Sequence, residues 1–389
     1  MSNEDVYFLY GFVSAITLMA CIHGALLAAI LLVTKRLRST ANRYLALALA
    51  GVAIILFYEA AAYAGLEDDI PLLIQYAPLY IQTSVPVGLF FFTLFMVQPE
   101  FKPRERKTYW LAYLPLALDG IIQLAYIPLL WMVAEDQLMD AERHLENTGE
   151  VLMLGTALTL LPLSIRRVHR YQSFLYDNYS TTSGRSLRWL RTFLMLFLTL
   201  AVLWGIAFTQ SLLGLDAEPI FLVATFGLVI VLFAIGYFVM LQYDLFEVVP
   251  YQEEAPDLVE APKKLSAKTG VYFENLLGVL QDERVFTNPE LTLQDLADRL
   301  GISAGYLSQI IKAHERTTFF EFVNRYRVEA VKQKLVSADY QHYTIMGVAL
   351  ESGFKSKSTF NTVFKKFTGQ TPSAYKHAHL AGHNAALLE

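Results

Sequence analysis

Residues 353–372 read GFKSKSTFNTVFKKFTGQTP, and this stretch decides the fold of the C-terminal part of the chain. Gly353 predicts a sharp turn, because glycine accepts the left-handed backbone on which many helices end. Ser356 or Ser358 then predicts an N-cap, and apolar residues at helical spacing follow it. Since the preceding residues, 345–352, also predict a helix, the stretch forms a helix-turn-helix unit.

The same pattern occurs about 52 residues earlier in the chain. Thr292 begins a helix with a capping box, in which a hydroxyl and an acid three residues later bond to each other's backbone N–H. Gly301 ends that helix, and Ser303 caps the next one. The helices predicted for this half of the chain are 270–282, 293–300, 303–312, 319–335, 345–352 and 356–368.

Residues 353–372 resemble the signature of the AraC/XylS family of bacterial transcription regulators, and the similarity extends over roughly 269–378. Other residues that look like the family are Tyr306, Leu307 and Ser308 in the first unit and Arg327, Ala330 and Leu335 in the joining helix. Arg316 departs from the pattern, because the family often has a glycine where the first recognition helix ends. The resemblance implies two recognition helices in successive major grooves of promoter DNA, a homodimer, and contact with RNA polymerase.

Short polar and basic side chains cover the exposed faces of the two predicted recognition helices. Lysines contact phosphates, whereas hydroxyl and amide groups reach base edges. Gln309 is the best candidate base reader, because an amide can bond adenine bidentately. The candidate DNA-binding residues are Ser303, Ala304, Gly305, Tyr306, Ser308, Gln309 and Lys312 in the first unit, and Lys355, Ser356, Lys357, Ser358, Thr359, Asn361, Lys365 and Lys366 in the second. For any one of them, a solvated helix face is the alternative interpretation.

The rest of the chain has the composition of a membrane protein. Of the 389 residues of the whole chain, 54% are hydrophobic and only 17% charged, against about 25% charged in soluble proteins. The mean hydropathy is +0.37. A membrane helix needs roughly 20 mostly apolar residues. The predicted spans lie near 7–33, 43–65, 71–97, 109–133, 150–165, 190–214 and 219–243, and the fifth is the shortest.

Loop charges alternate along this part of the chain. The basic loops are 35–43, 102–107 and 166–191, and the acidic ones are 67–69, 135–150 and 216–218. Basic residues mark cytoplasmic loops, so the N-terminus is predicted outside and everything after Tyr243 in the cytoplasm. Six spans would place the C-terminal part outside, although it carries 16 Lys and Arg against 12 acids from residue 263 onward. The prediction is therefore a multi-pass protein of the cytoplasmic membrane.

These patterns predict an all-α chain, in which a seven-helix transmembrane bundle precedes a soluble all-α domain with two helix-turn-helix units. The predicted domains are a transmembrane sensor over 1–247, a linker over 248–268, the AraC-type DNA-binding domain over 269–379, and a tail over 380–389. Pro250, Pro256 and Pro262 indicate that the linker is extended.

Ionisable residues inside spans are costly and are therefore functional candidates. His23, Glu59 and Asp119 are the three of this kind. An outward-facing pocket for an unidentified ligand is predicted from Glu59, Tyr63, Gln75, Tyr80, Gln82 and Gln210. The alternative is that each polar group bonds a neighbouring helix and serves packing.

The function that fits both halves is a membrane-bound transcription regulator. Its predicted partners are duplex DNA and the lipid bilayer. No catalytic set, phosphate loop or cofactor motif is recognised, so the chain is not expected to be an enzyme. His377, His379 and His383 have no cysteine or carboxylate nearby, which argues against a metal site. The alternatives are a transporter or membrane enzyme with a regulatory DNA-binding tail, and a passive membrane anchor.

Overall fold

The computed structural model describes residues 3–66, 82–99, 107–130, 135–241 and 269–386. Within these ranges the chain forms fourteen α-helices and no strand beyond one isolated bridge, which confirms the predicted all-α class. The chain divides into two compact units. The apolar unit comprises Met1–Arg170 and Leu187–Tyr251, and the C-terminal unit comprises Tyr171–Ser186 and Gln252–Glu389.

The first seven helices run through the apolar part of the sequence. They are α1 (Asn3–Val33), α2 (Thr40–Tyr63), α3 (Ser84–Val97), α4 (Leu114–Leu130), α5 (Glu135–Asn178), α6 (Arg188–Leu212) and α7 (Glu218–Leu241). Helix α1 packs on α2 and α7, α2 packs on α3, and α6 packs on α7. The approach of α2 to α3 is close, because a Cβ at Gly88 would lie 2.9 Å from the carbonyl oxygen of Tyr44. Small residues at such crossings are typical of membrane helices.

Five of these helices are long and apolar enough to cross a membrane. They are Phe8–Val33, Thr40–Tyr63, Asn147–Asn178, Arg188–Leu212 and Glu218–Phe238. Ser84–Val97 and Tyr109–Ala125 are apolar but shorter, and they lie within the third and fourth predicted spans. Part of the third span, 71–81, lies outside the described residues. The count of seven spans and their orientation therefore stay predictions.

The helix that contains the fifth predicted span, 150–165, extends beyond it at both ends. Arg166 and Arg167 end the apolar stretch, but helix α5 continues through them to Asn178. Arginine favours helix almost as much as alanine does, so a change of polarity does not stop the backbone hydrogen-bond ladder. Pro162 lies inside the same helix.

Large apolar side chains cover the outside of the apolar unit. Phe8, Leu124 and Ile230 are 78%, 65% and 67% exposed. Extensive exposed apolar surface is unusual in a soluble protein and marks contact with lipid or with another protein. The surface suits the membrane setting that the composition predicts.

The seven helices of the C-terminal unit that follow residue 268 agree with the sequence prediction to within three residues, apart from the last, which was not predicted. They are α8 (Thr269–Asp282), α9 (Leu293–Leu300), α10 (Ala304–Glu315), α11 (Phe319–Val336), α12 (Ile345–Glu351), α13 (Lys357–Thr368) and α14 (Pro372–Ala386).

Helix α11 is shared by two hydrophobic cores. Phe319 and Phe322 of α11 join the first core, with residues of α8, α9 and α10 such as Leu307. Val328 and Val331 join the second, with residues of α12 and α13 such as Phe360. Since one helix supplies side chains to both cores, the two helix-turn-helix units are built on a common support.

Candidate nucleic-acid interface

The first helix-turn-helix unit is held by local caps. Thr292 and Asp295 form the predicted capping box at the start of α9. Gly301 ends α9 with a φ of 65°, in the left-handed region. The Ser303 hydroxyl accepts the N–H of Tyr306 at 3.3 Å and so begins α10. These contacts fix the turn angle between the two helices, and thereby which face of α10 points outward.

Helix α10 ends at an arginine whose backbone has the left-handed conformation that glycine favours. Arg316 has a φ of 52°, and its N–H donates to the carbonyl oxygen of Lys312. The position at which the sequence departs from the AraC/XylS pattern is therefore a left-handed helix end, which the pattern's glycine would adopt without steric cost.

The second unit repeats this construction. Gly353 has a φ of 94°, and a Cβ there would collide with the Phe286 carbonyl oxygen and lie 2.9 Å from Arg327 Nε. Ser356, rather than Ser358, caps α13, because its hydroxyl accepts the N–H of Thr359 at 3.2 Å. The Ser356 hydroxyl is therefore engaged in holding the recognition helix.

Most of the predicted DNA-binding side chains point to solvent. Ser303, Gly305, Gln309, Lys312, Lys355, Lys357, Ser358, Asn361, Lys365 and Lys366 are exposed. The others, Ala304, Tyr306, Ser308, Ser356 and Thr359, are half-buried. The Tyr306 ring packs edge-on against Tyr272, with centroids 6.0 Å apart. The exposed set combines lysines with short hydroxyl and amide groups on both recognition helices.

Three of the five recognition lysines are paired with carboxylates. Lys312 Nζ lies 3.0 Å from Asp177, Lys355 Nζ lies 2.5 Å from Glu290, and Lys366 pairs with Glu321. Lys357 and Lys365 have no carboxylate partner among the described residues. Without DNA, Lys312 on the first helix and Lys355 and Lys366 near the two ends of the second are thus paired with acids. These pairs neutralise part of the positive charge of both helices.

These ion pairs change the acidity of the carboxyl groups. The hydrogen bond from Lys355 lowers the pKa of Glu290 below its usual 4.5, and the nearby Arg185 acts in the same direction. Hydrogen bonds from Lys366 and then from Thr317 lower the pKa of Glu321. Both carboxylates therefore stay charged at neutral pH.

Arg327 of α11 is fully buried, and all three of its guanidinium nitrogens donate hydrogen bonds. Its Nε donates to the Phe286 carbonyl oxygen at 2.8 Å. One terminal nitrogen donates to the Ser180 carbonyl oxygen at 2.9 Å, and the other to the Ser180 hydroxyl at 2.9 Å and the Asn288 carbonyl oxygen at 2.8 Å. Burial lowers the pKa of Arg327 to about 9, so it remains a cation at neutral pH.

Residues 171–186 pack against the helix-turn-helix residues within the C-terminal unit. Ser180 is fully buried, and both its N–H and its hydroxyl donate to the Leu291 carbonyl oxygen. Asn324 donates to the Ser180 carbonyl oxygen at 2.9 Å. Tyr176 lies edge-on against Phe320, with centroids 5.0 Å apart. The predicted sensor domain, 1–247, includes these residues, whereas by contact they belong to the C-terminal unit.

The packing of residues 171–186 on the helix-turn-helix residues is not predictable from the sequence, because the partners are distant along the chain. Ser180 and Arg327 are 147 positions apart. Arg327 itself was noticed only through the family resemblance, although a second signal was present. It lies three and four residues from Asn324, Val323 and Val331, on the buried face of α11. A charged residue at a core register of an amphipathic helix predicts a buried polar network.

The predicted ligand residues do not form a single pocket among the described residues. The ring centroids of Tyr63 and Tyr10 are 5.9 Å apart. The Tyr10 hydroxyl donates to Glu218, and the charge of Glu59 lies close enough to act on Tyr63. Gln82 lies elsewhere, in the lining of an apolar cavity. Gln210 is half-buried, while Gln75 and Tyr80 lie outside the described residues.

The other two ionisable candidates are packed inside the apolar unit. His23 stacks on Phe233 with ring centroids 4.6 Å apart. Asp119 is fully buried and accepts a hydrogen bond from the Thr83 hydroxyl. The Thr83 bond of Asp119 fits the packing interpretation, whereas the buried Nε2 atom of His23 has no hydrogen-bond partner among the described residues.

The cavity lined by Gln82 has a volume of about 80 Å³ and is partly open to the outside. Its apolar lining includes Val52, Pro86, Met153, Phe197 and Trp204. Gln82 is only 8% exposed, and its Oε1 atom has no hydrogen-bond partner among the described residues. The cavity therefore presents one acceptor in apolar surroundings.

Comparison with known proteins identifies the C-terminal end. A helix-turn-helix domain family matches residues 296–378. The raffinose operon transcriptional regulatory protein of Pediococcus pentosaceus is 31% identical over 85 residues, which are 22% of this chain and 30% of that protein. The melibiose operon regulatory protein of Escherichia coli is 27% identical over 105 residues, 27% of this chain and 33% of that protein. The chain therefore matches a third or less of the length of these relatives.

Two further matches fall in the same region. An uncharacterized HTH-type transcriptional regulator of Staphylococcus aureus is 36% identical over 87 residues, 22% of this chain and 11% of that protein. A solved protein of unknown function from Listeria innocua is 29% identical over 28% of this chain and 96% of its own, with a TM-score of 0.25, too low to compare folds. Together with the signature at 353–372 and the two capped helix-turn-helix units, the sequence matches identify an AraC-type helix-turn-helix domain in the C-terminal unit.

Proposed function

We propose that the chain is a membrane-bound regulator whose apolar unit senses a signal and whose C-terminal unit binds promoter DNA in response. In this proposal the protein is a multi-pass protein of the cytoplasmic membrane, with the N-terminus outside and the C-terminal unit in the cytoplasm. The carrying observation is the pair of capped recognition helices, α10 and α13, built on α11. A homodimer and contact with RNA polymerase are part of the same proposal.

The exposed groups of the two helices are suited to two kinds of contact with DNA, one to phosphates and one to base edges. The lysines supply sequence-independent attraction to phosphates, and Gln309 and Asn361 supply amides for base edges. If all five recognition lysines contact phosphates, log K falls against log salt with a slope of about −4 to −5. This slope is the measurable signature of the proposed interface.

The test uses the full chain in lipid nanodiscs, selected against a pool of random duplexes. We expect a specific sequence to be enriched. Lys365→Ala should reduce the salt slope by about one, because it removes one phosphate contact. Lys332→Ala on α11 is the matched control, since its lysine pairs with Glu329 away from the recognition helices. A folded chain that enriches no sequence would refute the proposed function.

For the sensed signal, the cavity around Gln82 supports an apolar ligand that carries one hydrogen-bond donor, such as a long-chain alcohol. A buried acceptor without a partner costs about 1–3 kcal/mol, and a ligand hydroxyl would recover part of that cost. The apolar lining would take up the hydrocarbon chain. This supports sensing in preference to a passive anchor.

Trp204 in the cavity lining provides the readout. A brominated decanol should quench its fluorescence saturably, and the matching bromodecane should bind more weakly. Gln82→Leu should remove the difference between the two probes, whereas Gln98→Leu, at an equally buried glutamine outside the described cavity lining, should retain it. Equal quenching of the wild-type chain by both probes would exclude the role proposed for Gln82.

A further inference from the structure

The segment Tyr171–Ser186 brings charged side chains to both recognition helices. Asp177 lies 3.0 Å from Lys312 of α10. Arg185 lies 3.0 Å from Glu290, the carboxylate that also holds Lys355 at the start of the second recognition helix. The first contact pairs directly with a lysine that the proposed function assigns to phosphate binding, and the second acts on another such lysine through Glu290. The segment can therefore alter DNA affinity without touching DNA.

We propose that Tyr171–Ser186 acts as a built-in restraint on DNA binding. It weakens the binding of DNA by the first recognition helix and strengthens the binding of DNA by the second. At α10, a DNA phosphate and the Asp177 carboxylate compete for the same Lys312 ammonium group. Breaking the Lys312–Asp177 ion pair is therefore part of the free energy of DNA binding. This inference rests on the proposed function, because it supposes that α10 meets DNA.

The effect at the second helix has the opposite sign. Glu290 is shared, with one carboxylate oxygen on Arg185 and the other on Lys355. While Arg185 is present, the cluster of two cations and one acid carries a net positive charge and attracts a phosphate. Without Arg185, Glu290 would neutralise Lys355 completely. The docked segment therefore leaves Lys355 more available for DNA.

The anchor at Ser180 makes both effects persistent. Its carbonyl oxygen, hydroxyl and N–H are all bonded to Arg327, Asn324 or Leu291, in a fully buried position. Asp177 and Arg185 are tethered on either side of this anchor, so their effective concentration at the two helices is high. The segment begins with the C-terminal end of α5 and its last residues lead into α6, so a movement of those helices reaches Ser180 through covalent bonds.

The test compares single-charge variants of the full chain in nanodiscs, with the duplex enriched from the random pool as the probe. Asp177→Asn should tighten binding about two- to fivefold, the range for partly exposed ion pairs. Asp282→Asn removes the same charge from an exposed aspartate elsewhere in the unit and should have a smaller effect. Arg185→Gln should weaken binding about two- to fivefold.

A double-mutant cycle assigns the effect to Lys312. In a Lys312→Gln background, Asp177→Asn should no longer tighten binding, because its partner has gone. Hydrogen exchange at the Ser180 amide should stay as slow in Asp177→Asn as in the wild type, which shows that the segment is still docked.

Two results would overturn the restraint while leaving DNA binding intact. One is an equal effect of Asp177→Asn and Asp282→Asn, which would indicate only long-range charge. The other is a change of the same sign from Asp177→Asn and Arg185→Gln, which would indicate a merely structural segment. A folded wild-type chain that binds no duplex would overturn the proposed function and the restraint together.

Discussion

Arg327→Met is the substitution that tests the architecture of the C-terminal unit most directly. It removes a buried guanidinium that donates to three carbonyl oxygens, those of Phe286, Ser180 and Asn288. The Ser180 oxygen keeps its hydrogen bond from Asn324 and the Asn288 oxygen keeps that from the Leu291 N–H, so the Phe286 oxygen is the one left without a described donor. Each buried acceptor left unsatisfied costs about 1–3 kcal/mol, and water entering the space would recover part of it. One acceptor without a donor and two with one bond fewer give an expected loss of about 2–4 kcal/mol, a large fraction of the roughly 5–15 kcal/mol that stabilises a domain.

Hydrogen exchange of the full chain measures this loss locally. Peptides that cover 171–186 and 285–300 should lose protection together, because both sides of the network depend on Arg327. Arg325→Met is the matched control on the same helix, since its ion pair with Glu315 is partly exposed and is worth under about 1 kcal/mol. Equal hydrogen exchange of these peptides in the two variants would show that the Arg327 network does not hold the two sides together, and would refute the prediction.

Three further predictions concern the turns and the ion pairs of the same unit. Gly353→Ala should cost about 2–4 kcal/mol, because its Cβ would meet the Phe286 carbonyl oxygen at a φ of 94°, and thermal unfolding of the full chain measures the loss. Arg316→Gly should slow exchange of the last α10 amides by an amount equal to about 0.5–1 kcal/mol, because glycine removes the strain of the left-handed helix end at Arg316; faster exchange would contradict this. Since the folded-state pKa values of Glu290 and Glu321 are lowered, their contribution to stability is present above pH 4.5 and is lost as the pH falls through the folded values. The midpoint temperature should therefore fall in acid, and Glu321→Gln should reduce that fall.

The helix-turn-helix units were predictable because their signals are local. The capping box at Thr292, the glycine at 301 and the serine caps act within four residues, so the sequence carries them directly. The outward faces of α10 and α13 follow from helical spacing once the caps are placed. Local chemistry thus predicted both the helices and their exposed polar side chains.

Features that depend on long-range packing were not predictable in this way. Nothing near Ser180 indicates that its carbonyl oxygen will meet Arg327. Similarly, the depth of a residue in a span does not specify its helix neighbours. Gln82 therefore lines an apolar cavity, while Tyr63 lies beside Tyr10. Helix α5 was underestimated because hydropathy marks where an apolar stretch ends and does not mark where a helix ends.

The position of Ser180 also distinguishes two routes by which a signal could reach the DNA-binding helices. One route is the chain between α7 and α8, residues 242–268, whose prolines predict an extended linker. The other is Tyr171–Ser186, which belongs by contact to the C-terminal unit, begins within α5 and leads into α6. If the second route carries the signal, four glycine and serine residues inserted after Pro256 should leave a promoter's response to the ligand unchanged. The same insertion after Ser186 should weaken the response but not DNA binding itself, because Asp177, Ser180 and Arg185 stay packed on the C-terminal unit while their connection to α6 becomes slack. The reverse pattern would assign the signal to residues 242–268 and limit Tyr171–Ser186 to a static restraint.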